Sequence, residues 1–395
     1  MKRQFRSSLR ALALGAVLLA AACESGENET PASGELTEEE QLCRSICESY
    51  VNHTILPAYR SLAEAALEMR TANEALKAEP TDAHMQAAAD AWMKARICWE
   101  RSEGYLIGPV ADGNLSIDPH VDSWPLVMED IGAVLALIET DPAAFTGAAA
   151  WSQEGDVIGF HLTEYMLFDS GRVRPASDLT PAMRSYLTAA TDALVWDCVS
   201  AYVAWCGEEN VPDGMRRVFR ENPEVAARLT AAPQFMNYAE RMITASLYQQ
   251  DYYQAMNEIP TGIVTIVEEV GANKIAGTYD GGNPWEVESW YSWHSIDDFA
   301  NNILSVKNAY LGGTDDTNRP EVSFSTFVAR KDAGLDRQIR EKIEECIAKI
   351  HAMGEGGLSF YECVRDRRNA AQVDAAAAAC TELFTLVSRS QDYIR

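Results

Sequence analysis

Apolar residues recur every three or four positions along most of this 395-residue chain, and nowhere do they alternate with polar ones over a strand's length. "SLAEAALEMRTANEALKA" and "DAHMQAAADAWMKARICWERSEGYL" show the pattern, with strong helix formers between the apolar positions. "LVMEDIGAVLALIE", "GFHLTEYMLF", "PAMRSYLTAATDALVWDCVSAYVAWC", "SIDDFANNILSVKNAYLG", "LDRQIREKIEECIAKIHAM" and "NAAQVDAAAAACTELFTLVSRSQDY" repeat it, and one very long helix is expected over 233–277. The chain is therefore all-α, with helices long enough for bundles and 47% hydrophobic residues to fill a core. Its length suggests two domains. The Gly-, Pro- and charge-rich segment 207–233 places their boundary, giving helical bundles over 41–210 and 211–395.

The first forty residues do not belong to that fold. Lys2, Arg3, Arg6 and Arg10 precede an apolar run from Ala11 to Ala22, and "LLAAAC" closes it at Cys23, as in a secretory signal over 1–22. The run is too short for a permanent membrane helix. A cysteine after small residues resembles a bacterial lipoprotein signal in which Cys23 is acylated, although Ala20 stands where such signals usually carry Leu. Residues 23–40 are polar and acidic, a flexible tether. The expectation is a lipid-anchored cell-envelope protein, facing the periplasm or exposed on the surface, that meets the membrane only through its anchor. A formal charge of −26 argues against nucleic acid as a partner. Nine cysteines are present; apart from Cys23 they stand at 43, 47, 98, 198, 206, 346, 363 and 380. In an oxidising compartment they predict up to four disulfides.

Residues 158–168 are apolar on nearly every side, which marks a buried helix, yet they contain His161 and Glu164. Three residues apart, these two share a face, with Tyr165 and Phe168 alongside. A buried carboxylate needs a partner, so the pair is either a satisfied structural contact or a metal or catalytic site. Bundle proteins hold iron with the same residue types at the same spacing in the order Glu-x-x-His. Upstream, Arg96, Trp99 and Glu103 fall at i, i+3 and i+7 of a helix expected to end at Gly108-Pro109. Glu103 could supply a second carboxylate and Arg96 its counter-charge; a solvated Arg–Glu ladder is the alternative. The loop "SIDPHVDSWP" carries Asp118, His120 and Asp122, any of which could close over a site.

"GFHLTE", Gly159 to Glu164, fits the Gly-x-His-x-x-Glu signature, and the chain resembles the imelysin-like proteins of peptidase family M75. "ILPAYRSLAEAA", "ERSEGYLIGPV", "VESWYSWHSIDDFANNILSVKNAYLGG" and "STFVARKDAGLDRQI" extend the likeness from about residue 50 to 350, in order. The resemblance implies two related helical-bundle halves in an envelope protein often associated with iron acquisition. It maps the family's His–Glu pair onto His161 and Glu164 and its Glu before "GPV" onto Glu103. Gly159, Arg96, Asp122 and Tyr165 are expected as supporting residues.

A zinc peptidase generally needs three protein ligands, an open water position and a base. Neither HExxH nor HxxEH is present, and the chain's six histidines are scattered. If Glu164 is a ligand the base is missing, and if it is the base the ligands are few. No GxSxG elbow, P-loop or GxGxxG fingerprint is found. The leading expectation is a protein that binds iron, or another cation or its chelate, since hard cations accept carboxylates and imidazole without a poised base. A zinc-dependent peptidase is the alternative. A scaffold for an envelope protein partner is a third, with Trp285, Trp290, Tyr291 and Trp293 in a loop that either docks or packs between the halves.

Overall fold

The computed structural model describes residues 35–394; the expected signal, Cys23 and most of the tether lie outside the described residues. Thr37 opens the first helix by a capping box with Glu40. Helices α1 (Glu38–Tyr50), α2 (Leu56–Ala78), α3 (Asp82–Glu100), α4 (Ile117–Val121), α5 (Met128–Thr140), α6 (Gly147–Trp151), α7 (Gly159–Leu167) and α8 (Pro181–Cys206) come first. Three short ones follow, α9 (Asp213–Phe219), α10 (Pro223–Thr230) and α11 (Tyr238–Ile243). Then come α12 (Tyr252–Glu268), α13 (Thr278–Gly281), α14 (Ser295–Leu311), α15 (Phe324–Lys331), α16 (Ala333–Ala352), α17 (Phe360–Asp366) and α18 (Ala370–Gln391). Among the described residues the strands are β1 (Phe168–Asp169) and β2 (Arg172–Val173), a two-residue antiparallel pair directly after α7. The protein is all-α, as its periodicity requires.

Helix α8 begins with Pro181 behind a Thr180 cap and is buried along nearly its whole second half, so it serves as the axis of the first helical set. α2 packs on it and on α3, while α7 fits between α8 and α3. Trp92, Trp99, Tyr59 and Trp205 fill this core. In the second set α18 packs on α16 and α12, and α14 lies between α12 and α16. α3 and the turn Glu103–Tyr105 also contact α14, which brings residues near 100 and near 300 together. There Gly104 N–H donates to Ser305 Oγ at 2.7 Å.

Three expectations are corrected. The helix expected to run to Gly108 ends at Glu100, and Glu103 sits in a separate 3-10 turn. The single helix expected over 233–277 is broken: Asn237, Ala245, Gln249 and Gln250 adopt positive φ, and Asp251 caps a new start at Tyr252. Its last part, Glu269–Gly277, is a π-helix, a geometry that α-helical spacing cannot reveal. The eight cysteines among the described residues are free thiols rather than disulfides. Each lies in a helix, and seven are buried, packed as small apolar groups. Cys43 and Cys47, four apart on α1, both face the core.

Candidate functional site

Gly159 starts α7 with φ +75, and a Cβ there would lie 2.6 Å from the Val121 carbonyl oxygen and 2.7 Å from that of His120. Only glycine permits both the left-handed backbone and this approach. The end of α4 therefore crosses directly over the start of α7 and sets the next residue, Asp122, against His161. His161 Nδ1 is 3.1 Å from Glu164 Oε2, and its Nε2 is 3.2 Å from Asp122 Oδ1. This second contact lies at ion-pair distance but lacks the alignment of a hydrogen bond. Nε2 is also 3.9 Å from Glu288 Oε1. Burial opposes charge on this imidazole, but the Asp122 and Glu164 carboxylates outweigh it and lift its pKa to about 9.

Glu164 is held from the far end of the chain. Its Oε1 accepts from the Tyr291 and Ser292 backbone N–H groups at 3.1 and 2.8 Å and from Ser292 Oγ at 2.6 Å. The aromatic loop expected before α14 thus packs onto the signature helix, with the Tyr165 and Tyr291 rings 5.0 Å apart. Trp124 covers the opposite side, its ring 5.0 Å from His161.

Arg96 is fully buried and is the hub of the charges. It donates to Asp122 and, at 2.7 Å, to Glu288; it also pairs with Glu100 and lies 3.8 Å from Asp298. Trp99 Nε1 holds the other Asp122 oxygen at 2.8 Å. Burial resists ionisation of Asp122, yet Arg96 and His161 keep its carboxyl well below the usual range. Glu100 and Glu103 go the other way, because burial raises them despite their cationic neighbours. Lys274, from the π-helix, places Nζ 3.1 Å from Glu103, 3.3 Å from Glu288 and 3.5 Å from Glu269.

Asp122, Glu103, Glu288 and Lys274 floor a pocket of about 340 Å³ whose walls add Asp118, Trp124, Glu269 and Glu286. Burial and nearby carboxylates lift Asp118 to about 7. Two overlapping sets of donor atoms lie within 4.8 Å of one another: Asp122, His161 and Glu288, and Glu100, Glu103 and Asp122. An imidazole among carboxylates suits a hard or borderline cation.

His161, Glu164, Arg96 and Asp122 are therefore brought together. Glu103 joins the pocket beside Lys274 and Asp122. Tyr165 points aside, with Arg174 over its ring at 5.4 Å, and His120 turns to Asp197, 3.3 Å away. Sequence reasoning missed Glu100, Glu288, Asp298 and Lys274. Glu288 and Asp298 did carry a signal, as acidic residues inside the aromatic stretch around Trp290 and the helix start after it.

A helical fold with a buried histidine–carboxylate centre roofed by tryptophan defines the class. The imelysin model of peptidase M75 matches residues 55–388, and the chain belongs to that family. Iron-regulated protein A of Synechococcus elongatus is 25% identical over 269 residues, which span 68% of this chain and 64% of that protein, just under two thirds of its length. A crystal structure described as an iron-regulated protein A precursor from Parabacteroides distasonis is 26% identical, with a TM-score of 0.74, covering 92% of this chain and 97% of the other. An imelysin-like protein from Psychrobacter arcticum shares the fold at 12% identity, with a TM-score of 0.54 and coverage of 91% and 94%.

Proposed function

We propose that this chain handles iron: its pocket takes up a multivalent cation, iron foremost, bare or partly chelated, as cargo rather than as a catalytic cofactor. The observation that carries this is the convergence of Asp122, His161 and Glu288 with Glu100 and Glu103 under a pocket whose walls are themselves acidic. The relatives named iron-regulated protein A support the choice of metal. In this proposal Cys23 anchors the protein to the cell envelope, and His161 and Glu164 act in unequal roles. His161 Nε2, once it gives up its proton to solvent, faces the cargo, while Glu164, held by Tyr291 and Ser292, fixes the ring.

That division of labour disfavours zinc-dependent peptidase chemistry. Glu164 is engaged on both oxygens and is not free to act as a base. The test is metal analysis of the full chain after incubation with ferrous iron under argon, beside an Asp122→Asn/Glu288→Gln variant. Near-stoichiometric iron in the parent and none in the folded variant is expected. Iron in neither, or chelator-sensitive cleavage of a peptide library, would overturn the proposal.

A further inference from the structure

We propose that the Lys274 ammonium is a tethered stand-in for the cargo: it occupies the cation seat in the unloaded protein and gives way to the incoming ion. The inference rests on the cation-binding proposal and adds a mechanism of exchange and selection.

The two permanent cations of the cluster are built differently. Arg96 is fully buried, and its planar guanidinium is engaged on several sides, a fixed part of the frame. Lys274 is a point charge on a flexible four-carbon stem, and it borders the pocket of about 340 Å³, which gives it room to swing. Its Nζ lies within 3.1 to 3.5 Å of Glu103, Glu288 and Glu269, an all-oxygen surround of the kind hard cations take. Glu103 and Glu288 also belong to the two groups whose donor atoms converge with Asp122. Glu269 is half-exposed, so the ammonium can follow it toward water when displaced. The pairing depends on the π-helix, since Glu269 and Lys274 are five residues apart, a spacing that one π turn brings onto one face.

One further atom points to a ligand: His161 Nε2, on a fully buried side chain of a converging group, has no aligned hydrogen-bond partner and meets Asp122 only at ion-pair distance. Three carboxyl groups surround the one ammonium, with Arg96 shared on Glu288, so an ion of higher charge is better matched to the seat than a monovalent one. Sodium or potassium gains nothing over the ammonium already there, so the exchange selects for ions of charge two or more.

Titration of the full chain with ferrous iron under argon, and with manganese(II), tests the exchange by calorimetry on the parent, Lys274→Met and Lys274→Arg. Lys274→Met removes the competitor and should bind on the order of tenfold tighter. Lys274→Arg fixes a guanidinium in the seat and should bind more weakly than the parent. A parent that binds, with Lys274→Met equal or weaker, overturns the inference and leaves the proposed function standing. Ion binding by neither parent nor Lys274→Met overturns both. If Lys274→Met does not fold, Lys274→Arg decides, and parent-like affinity there overturns the exchange.

Discussion

Buried carboxylates occur in two kinds of surroundings in this protein. Asp336, between α14, α15 and α16, accepts from the Tyr310 hydroxyl at 3.0 Å and from Ser325, and Asp197 accepts from Trp151 Nε1 at 2.9 Å. Each is held chiefly by neutral donors. Around His161 the carboxylates instead crowd together and share Arg96, Lys274 and the imidazole, and several of them border open volume. Neutral donors suffice to satisfy a lone buried carboxylate. A surplus of charge next to a cavity is the setting that the proposed cation would meet.

The strongest way to break this contrast is Arg96→Met. It strips the shared counter-charge from Asp122, Glu288 and Glu100 and should cost about 4 kcal/mol, read from denaturant unfolding. Gly159→Ala should cost about 3 kcal/mol, because the new methyl meets the Val121 and His120 carbonyls at a positive φ. A full-stability Gly159→Ala variant would mean that α4 is not pinned there.

His161 sharpens the contrast through pH. Its folded pKa of about 9 lies above its ordinary 6.5, so its contribution is full below pH 6.5 and is lost as pH rises through 9. The metal-free parent should lose roughly 3 kcal/mol relative to His161→Gln between pH 6 and 10; parallel stability profiles would refute the charged imidazole. Smallest of all, Asp336→Ala should lower stability by about 2 kcal/mol and leave cation affinity unchanged, which separates the structural carboxylate from the site.

The sequence made the helices legible wherever an apolar face had room to repeat, as in α2, α14 and α18. It also exposed His161 and Glu164, because polar residues in a run that is buried all round have few explanations. It hid whatever depends on irregular backbone. Glu103 was placed on α3, but that helix stops at Glu100, and Glu100 itself pairs with Arg96. Lys274 was invisible because its partner Glu269 is five residues away, out of phase with an α-helix. The cysteines misled because an even count suggests bridges, whereas seven of the eight described ones are buried thiols that pack as small apolar groups.

The grip of Tyr291 and Ser292 on Glu164 also bears on the chain's biogenesis. The donors of the site come from residues 96–122, from 161–164 and from 274–298, so a chain made N-terminus first holds the signature helix for more than a hundred residues before its partners exist. Until they emerge, Glu164 has no backbone clasp and Asp122 no Glu288 across from it. A nascent chain therefore cannot assemble the complete site until the segment around Glu288–Asp298 has been made.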